Sequence, residues 1–136
     1  VDCIKDGVKT VRPTPHGGPR TPLCVTHNRA RRKAARERAR ASRLERVYSI
    51  SAELYAALYE AQGGHCAFCP ATGKTKALAV DHDHACCNGP TSCGKCVRGL
   101  LCGPCNQLIG RFRDDPESFR RIISYLVNPP ARRVLS

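Results

Sequence analysis

The run Val80-Asp81-His82-Asp83-His84 sets carboxylates and two imidazoles between two Cys-x-x-Cys pairs, Cys66/Cys69 and Cys102/Cys105, with Asn106 directly after the second pair. A carboxylate and an amide oxygen are hard donors suited to Mg2+ or Mn2+, with water and phosphate filling the remaining positions. A histidine side chain ordinarily titrates near neutral pH and can take a proton from an attacking water. Asp81 and Asn106 are therefore the candidate ligands of a catalytic divalent cation. His82 is the candidate general base, and His84 a phosphate contact or a further ligand. The chain carries a formal net charge of +12, which concentrates polyanions around it. Together these residues predict metal-dependent hydrolysis of a phosphodiester.

Each Cys-x-x-Cys pair holds two sulfurs about one turn apart. Cys66, Cys69, Cys102 and Cys105 together predict a closed, four-thiolate structural zinc site. Thirty-two residues separate Cys69 from Cys102, more than the zinc-ribbon spacing of about 15–20. Removing the eleven-residue insert 86–96 leaves twenty-one, so the insert reads as a loop elaborated on a simpler knuckle. Cys86, Cys87, Cys93 and Cys96 within it are a candidate second zinc set. Adjacent Cys86 and Cys87 are awkward partners for one ion, so a ligand from the N-terminal segment, reduced thiols or disulfides are the alternatives. Cys3, His16, Cys24 and His27 are a candidate N-terminal zinc set, weighed against unrelated residues in a Pro- and Gly-rich loop.

Three Phe, four Tyr and no Trp in 136 residues are few aromatics for a core, so metal ligation by some of the ten Cys is expected to help hold it. No apolar run approaches the ~20 residues that span a bilayer, and Val1-Asp2-Cys3-Ile4-Lys5 has no signal-peptide pattern. A cytoplasmic, reducing compartment is expected, where such cysteine pairs favour zinc over disulfides. The chain begins at Val and contains no Met, consistent with removal of an initiator Met or with a start trimmed upstream.

The elements that must position these residues are legible. Between positions 29 and 46, Arg29, Arg31, Arg32, Lys33, Arg36, Arg38, Arg40, Arg43 and Arg46 stand against Glu37 and Glu45. With interspersed Ala they predict a basic helix or arm over 29–50. Its charge suits contact with nucleic-acid phosphates, which sets affinity without reading sequence; the alternative is a solvated helix with i,i+4 ion pairs. Ser51 can cap a helix, Glu53 favours its first turn, and Gly63-Gly64 ends it. Leu78-Ala79-Val80 reads as a strand that delivers Asp81 and His82, with 97–101 as its hairpin partner. Side chains alternate along a strand, which splits Asp81 and Asp83 from His82 and His84; if the chain turns after Val80, that constraint loosens and Asp81 can meet Asn106. A helix is expected from Pro104, and Asp114-Asp115-Pro116-Glu117 starts another, with Phe119, Ile122, Ile123 and Leu126 as its apolar stripe. The organisation expected is an N-terminal segment 1–28, a basic helix 29–50, a catalytic domain 51–128 and a tail 129–136. The fold class is a small, zinc-stabilised α+β domain.

Cys66-x-x-Cys69, Asp81-His82-x-His84, Arg98-Gly99-Leu100-Leu101-Cys102-x-x-Cys105-Asn106, Ile109-Gly110 and Asp114-Asp115-Pro116 resemble the recombination endonuclease VII group of HNH nucleases. The resemblance covers about residues 53–127. It implies a ββα-metal (His-Me finger) core around a structural zinc, with flanking helices. It also implies hydrolysis of DNA phosphodiesters, with Asp81 and Asn106 on Mg2+ or Mn2+, His82 as base and His84 near the phosphate. Members are typically phage-encoded and act in the infected host cell; the founding activity is resolution of branched DNA such as Holliday junctions. Arg98 joins the basic helix as a candidate DNA contact. Two coordinated cuts need a homodimer, for which helices 51–62 and 116–127 are the candidate interface, unless their stripes form one monomer's core. The 86–96 insert and residues 1–50 depart from the family pattern. A nicking or double-strand nuclease is the neighbouring reading, and a non-enzymatic zinc-ribbon DNA-binding protein the alternative of a different class.

Overall fold

The structure, a computed structural model, describes residues 25–135. These fall into two compact units, one ending at Leu44 and one beginning at Glu45. Helix α1 (Val25–Tyr48) supplies the described part of the first unit and continues into the second. Its Ala- and Arg-rich sequence has high helix propensity, and the side chains from Arg29 to Arg40 are exposed. Lys33 and Glu37 pair across one turn at 3.8 Å, and Arg31 donates to the buried Asn28 side chain at 3.3 Å.

The second unit is α+β. After α1 come α2 (Ala52–Ala61), β1 (Ala79–His82), β2 (Val97–Leu101), α3 (Gly103–Arg111), α4 (Pro116–Val127) and a 3-10 turn at Pro130–Arg133. The start signals read from sequence act as expected. Ser51 accepts from the Leu54 N–H at 3.2 Å, and Asp115 accepts from the N–H groups of Glu117 and Ser118. Gly63 and Gly64, both with positive φ, close α2 by returning N–H bonds to Glu60 and Tyr59. Tyr55 and Tyr59 then hold the following loop, their hydroxyls donating to the carbonyls of Leu78 and Thr72 at 2.9 and 2.7 Å.

The sheet is one antiparallel pair, β1 on β2. Its core is small and aliphatic: Leu100 is fully buried, with Leu101, Val80, Leu78, Ile50 and Ile109 nearly so. A two-stranded sheet is marginal alone, and here Gln62 stands in for a third strand. Its side-chain carbonyl accepts from the Leu100 N–H at 2.7 Å while its amide donates to the Leu100 carbonyl at 2.9 Å. Gly99 permits this approach, since a Cβ there would lie 2.9 Å from the Gln62 oxygen. Helix α3 packs on β1, and Phe112 meets Phe119 edge-on at 5.2 Å, joining α3 to α4. The apolar stripe of α4, which sequence alone left open between core and interface, contains no buried residue; Ile123 and Leu126 are 60% and 68% exposed.

Removing the Gln62 amide strands a buried N–H and C=O. Gln62→Ala is therefore expected to cost about 2 kcal/mol in urea unfolding. An unchanged midpoint would show that the amide does not stand in for a strand.

Candidate active site and metal centres

Burial along β1 departs from alternation: Val80, Asp81 and His82 are all buried. The register explains this. Asp81 pairs with Gly99, but His82 pairs with Val97, leaving Arg98 as the extra residue of a β-bulge. Bulges re-aim side chains, and this one turns Arg98 onto Asp81. The guanidinium grips the carboxylate with both arms, Nε to Oδ2 at 2.7 Å and Nη2 to Oδ1 at 3.1 Å. Arg98 Nη2 also lies 3.2 Å from Asp114 Oδ2, and His84 Nδ1 meets the same oxygen at 2.9 Å. Burial pushes the Asp114 carboxyl up, but the His84 hydrogen bond and the Arg98 charge outweigh it and hold the group below its ordinary range. Asp114 is therefore an acceptor, and the His84 Nδ1 carries the proton it donates. The Asp81 hydrogen bond, working against burial, raises the Arg98 guanidinium further.

The rings of His82 and His84 are 4.6 Å apart, and Tyr48 stands edge-on to His82 at 6.3 Å. His82 is 5% exposed, and its Nε2 is buried without a hydrogen-bond partner. Such an atom is costly and marks a place where a polar ligand or water belongs. Asn106 is half-buried in the first turns of α3, directly after Cys105. A cleft of about 530 Å3 opens beside Asp81, Arg98 and Asp114 and runs along Phe68, Leu108 and Ile123.

The sequence pattern pointed to Arg98 as a DNA contact; the structure places it against Asp81 and Asp114. Asp114 was legible only as a neighbour of the α4 cap, yet it joins His84 to Arg98. In the structure Asp115 alone serves as the cap, and Arg113 and Asp114 both adopt left-handed φ, 52° and 58°, a conformation that costs free energy and persists where other contacts require it.

Two cysteine clusters each bring four sulfurs within 4.8 Å of one another: Cys66, Cys69, Cys102, Cys105, and Cys86, Cys87, Cys93, Cys96. A tetrahedral zinc with bonds of about 2.3 Å requires sulfurs about 3.8 Å apart, whereas a disulfide would bring them to about 2.05 Å. Cys69 and Cys102 are 3.6 Å apart. In the second cluster the separations are 3.9, 3.9 and 3.8 Å for Cys86–Cys93, Cys86–Cys87 and Cys93–Cys96. Both sets therefore fit a structural zinc.

The first cluster lies at the N-terminus of α3, with Cys102 as its N-cap, where the helix dipole favours negative sulfur. Burial pushes the Cys66 thiol up, but N–H donors from Cys102, Phe68 and Cys69 bring it down to about 6. Cys105, desolvated and facing the other sulfurs, is pushed up. Held this close as thiolates, the four sulfurs would repel one another without a cation between them. Of the N-terminal candidates, Cys3, His16 and Cys24 lie outside the described residues, and His27 is exposed in the first turn of α1.

A hairpin flanked by cysteine clusters that fit zinc, followed by a helix and carrying the buried Asp81 and His82, fits a nuclease. The chain belongs to the recombination endonuclease VII family, whose sequence model matches residues 41–128. This makes it a hydrolase acting on nucleic acid. It is similar to the Gene 59 protein of Mycobacterium phage L5, 41% identical over 136 residues, covering 98% of this chain and 76% of the relative. The Gene 59 protein of Mycobacterium phage D29 is similar to the same degree and over the same shares. No solved structure matches the chain. Among the described residues, no helix is long and apolar enough to cross a membrane.

Because Asp114 orients both Arg98 and His84, Asp114→Ala is expected to slow DNA cleavage by about 10- to 100-fold. Zinc content and far-UV circular dichroism should be unchanged. Wild-type cleavage in that variant would remove Asp114 from the site.

Proposed function

We propose that this chain is a phage-encoded HNH endonuclease that cuts DNA with a divalent cation, and that β1, β2 and α3 form its ββα-metal core. The observation that carries the reading is His82 Nε2, buried and without a partner beside the Asp81–Arg98–Asp114–His84 network.

The residues fit a hard cation. Each Asp81 oxygen accepts one Arg98 bond and keeps further lone pairs. Asp81 and Asp114 together outweigh Arg98, and the Asn106 amide adds a neutral oxygen. Bound Mg2+ or Mn2+ would supply stabilisation of the leaving oxygen and of the charge on phosphorus. Arg98 holds the Asp81 carboxylate in one orientation. His82 takes the proton of the attacking water at Nε2. His84, fixed through Nδ1 to Asp114, can donate from its other ring nitrogen to the phosphate when the ring carries both protons.

Helix α1 adds affinity. Arg29, Arg32, Arg36, Arg40 and Arg43 recur every three or four residues along it and are all exposed, a row suited to backbone phosphates. Resolution of branched DNA requires two such sites. The exposed α4 stripe supports a homodimer, since Phe119 and Ile123 also line the apolar part of the cleft. A zinc-ribbon protein that only binds DNA has no use for the buried Asp81–His82 pair.

The test is cleavage of a four-way junction beside matched linear duplex, in Mg2+ or Mn2+. The wild type is expected to cut the junction first. His82→Ala should lose at least about 100-fold in rate while binding DNA and zinc normally. Equal cutting of both substrates would remove the junction preference, and a fully active His82→Ala would remove the mechanism.

A further inference from the structure

The hairpin that carries His82 and His84 does not close through an ordinary turn. Between β1 and β2 the chain makes the 86–96 loop, and its contacts converge on one residue. Asp83, between the two histidines, donates its N–H to the Cys96 carbonyl at 2.9 Å. Its own carbonyl accepts from the N–H groups of Cys86 and Cys87 at 3.2 and 3.0 Å. Its carboxylate accepts from the Ala85 N–H at 2.9 Å. This tight turn also solves the problem of adjacent cysteines: a strand would send Cys86 and Cys87 to opposite faces, whereas here their sulfurs are 3.9 Å apart.

The far side of the loop is anchored separately. Ser92 donates its N–H to the Val47 carbonyl at 2.8 Å, and the Ser49 hydroxyl donates to the Ser92 carbonyl at 3.0 Å. Gly94, with φ of 82°, lies so close to Ser49 that a Cβ would come within 2.7 Å of its carbonyl oxygen. Ser92 is buried, and its side chain accepts from the Gly94 N–H at 3.0 Å and lies 3.3 Å from the Cys96 sulfur. An eleven-residue loop with no apolar core of its own is thus fixed at both ends, with four thiols gathered at its centre. Cys86 and Cys93 are exposed, so packing does not explain why the sulfurs converge.

We propose that Cys86, Cys87, Cys93 and Cys96 bind a second zinc ion, which closes the catalytic hairpin and fixes His82 and His84 through Asp83. The spacing of about 3.8 Å expected for a four-thiolate zinc is met by three sulfur pairs of the cluster. The ion takes the place of a hairpin turn, and its loss frees the segment on which both histidines sit. It is structural, because four thiolates leave no open position. The effect on catalysis rests on the nuclease reading above; the presence of the ion does not.

The experiment compares the full-length chain with a Cys93→Ser/Cys96→Ser variant, counting zinc by mass spectrometry and recording the imidazole NMR signals. One zinc fewer per chain, with shifted His82 and His84 signals, is the expected result, and cleavage should fall about tenfold. An equal zinc count overturns the site. Loss of one zinc with unmoved histidine signals overturns the coupling through Asp83. If the variant loses all its zinc, the cadmium-loaded wild type decides. Cadmium couplings to the β-protons of Cys86, Cys87, Cys93 and Cys96 support the site, and couplings confined to Cys66, Cys69, Cys102 and Cys105 overturn it.

Discussion

Four sulfur atoms within 4.8 Å of one another, from Cys66, Cys69, Cys102 and Cys105, tie the loop after α2 to the corner where β2 becomes α3. Everything else in the second unit depends on that corner. The aliphatic core is too small to define it alone, and among the described residues the two strands have no third partner beyond Gln62. A metal held at the knot would fix Leu100 and Leu101 against the chain on one side and the start of α3 on the other. Asn106 follows the last ligand by a single residue, so the same constraint that holds the fold also aims a candidate ligand of the catalytic cation.

The polar cluster shows how such a small frame carries chemistry. Arg98 is brought to Asp81 by a single extra residue in β2, and Asp114 is brought to Arg98 by two left-handed residues between α3 and α4. Neither device belongs to regular secondary structure, and each places a charge beside a carboxylate or an imidazole. The result is a chain of contacts, Asp81 to Arg98 to Asp114 to His84, that leaves His82 buried, with Nε2 free of hydrogen bonds. Arg98 and Asp114 each hold two partners in this chain of contacts, which limits the orientations open to Asp81 and His84.

Much of this was legible in sequence, and the boundary is physical. Caps are local, so Ser51, Gly63-Gly64 and Asp115-Pro116 announced their helices, and the two Cys-x-x-Cys pairs announced a knot that the sulfur positions fit. The strand pair was visible from short apolar runs on either side of the insert. Contacts set by tertiary structure were not. A one-residue bulge cannot be seen in the composition of Val97-Arg98-Gly99, so the contact of Arg98 with Asp81 was not legible. Asp114 was masked by its neighbour's capping role. Gln62 carried no signal, because an amide substitutes for a strand only once the strand is beside it. Cys86 and Cys87 were awkward partners because successive side chains tend to diverge, and the turn at Asp83 brings their sulfurs to 3.9 Å.

Zinc at the Cys66 knot is proposed to define the hairpin. Amide hydrogen exchange at Leu100 and Leu101, 0% and 2% exposed, measured in the full-length Cys102→Ser chain, tests it most directly. The expected result is exchange at the rate of an unprotected chain at both residues, with helix α1 still formed. Slow, wild-type exchange at Leu100 and Leu101 in that variant would contradict the claim.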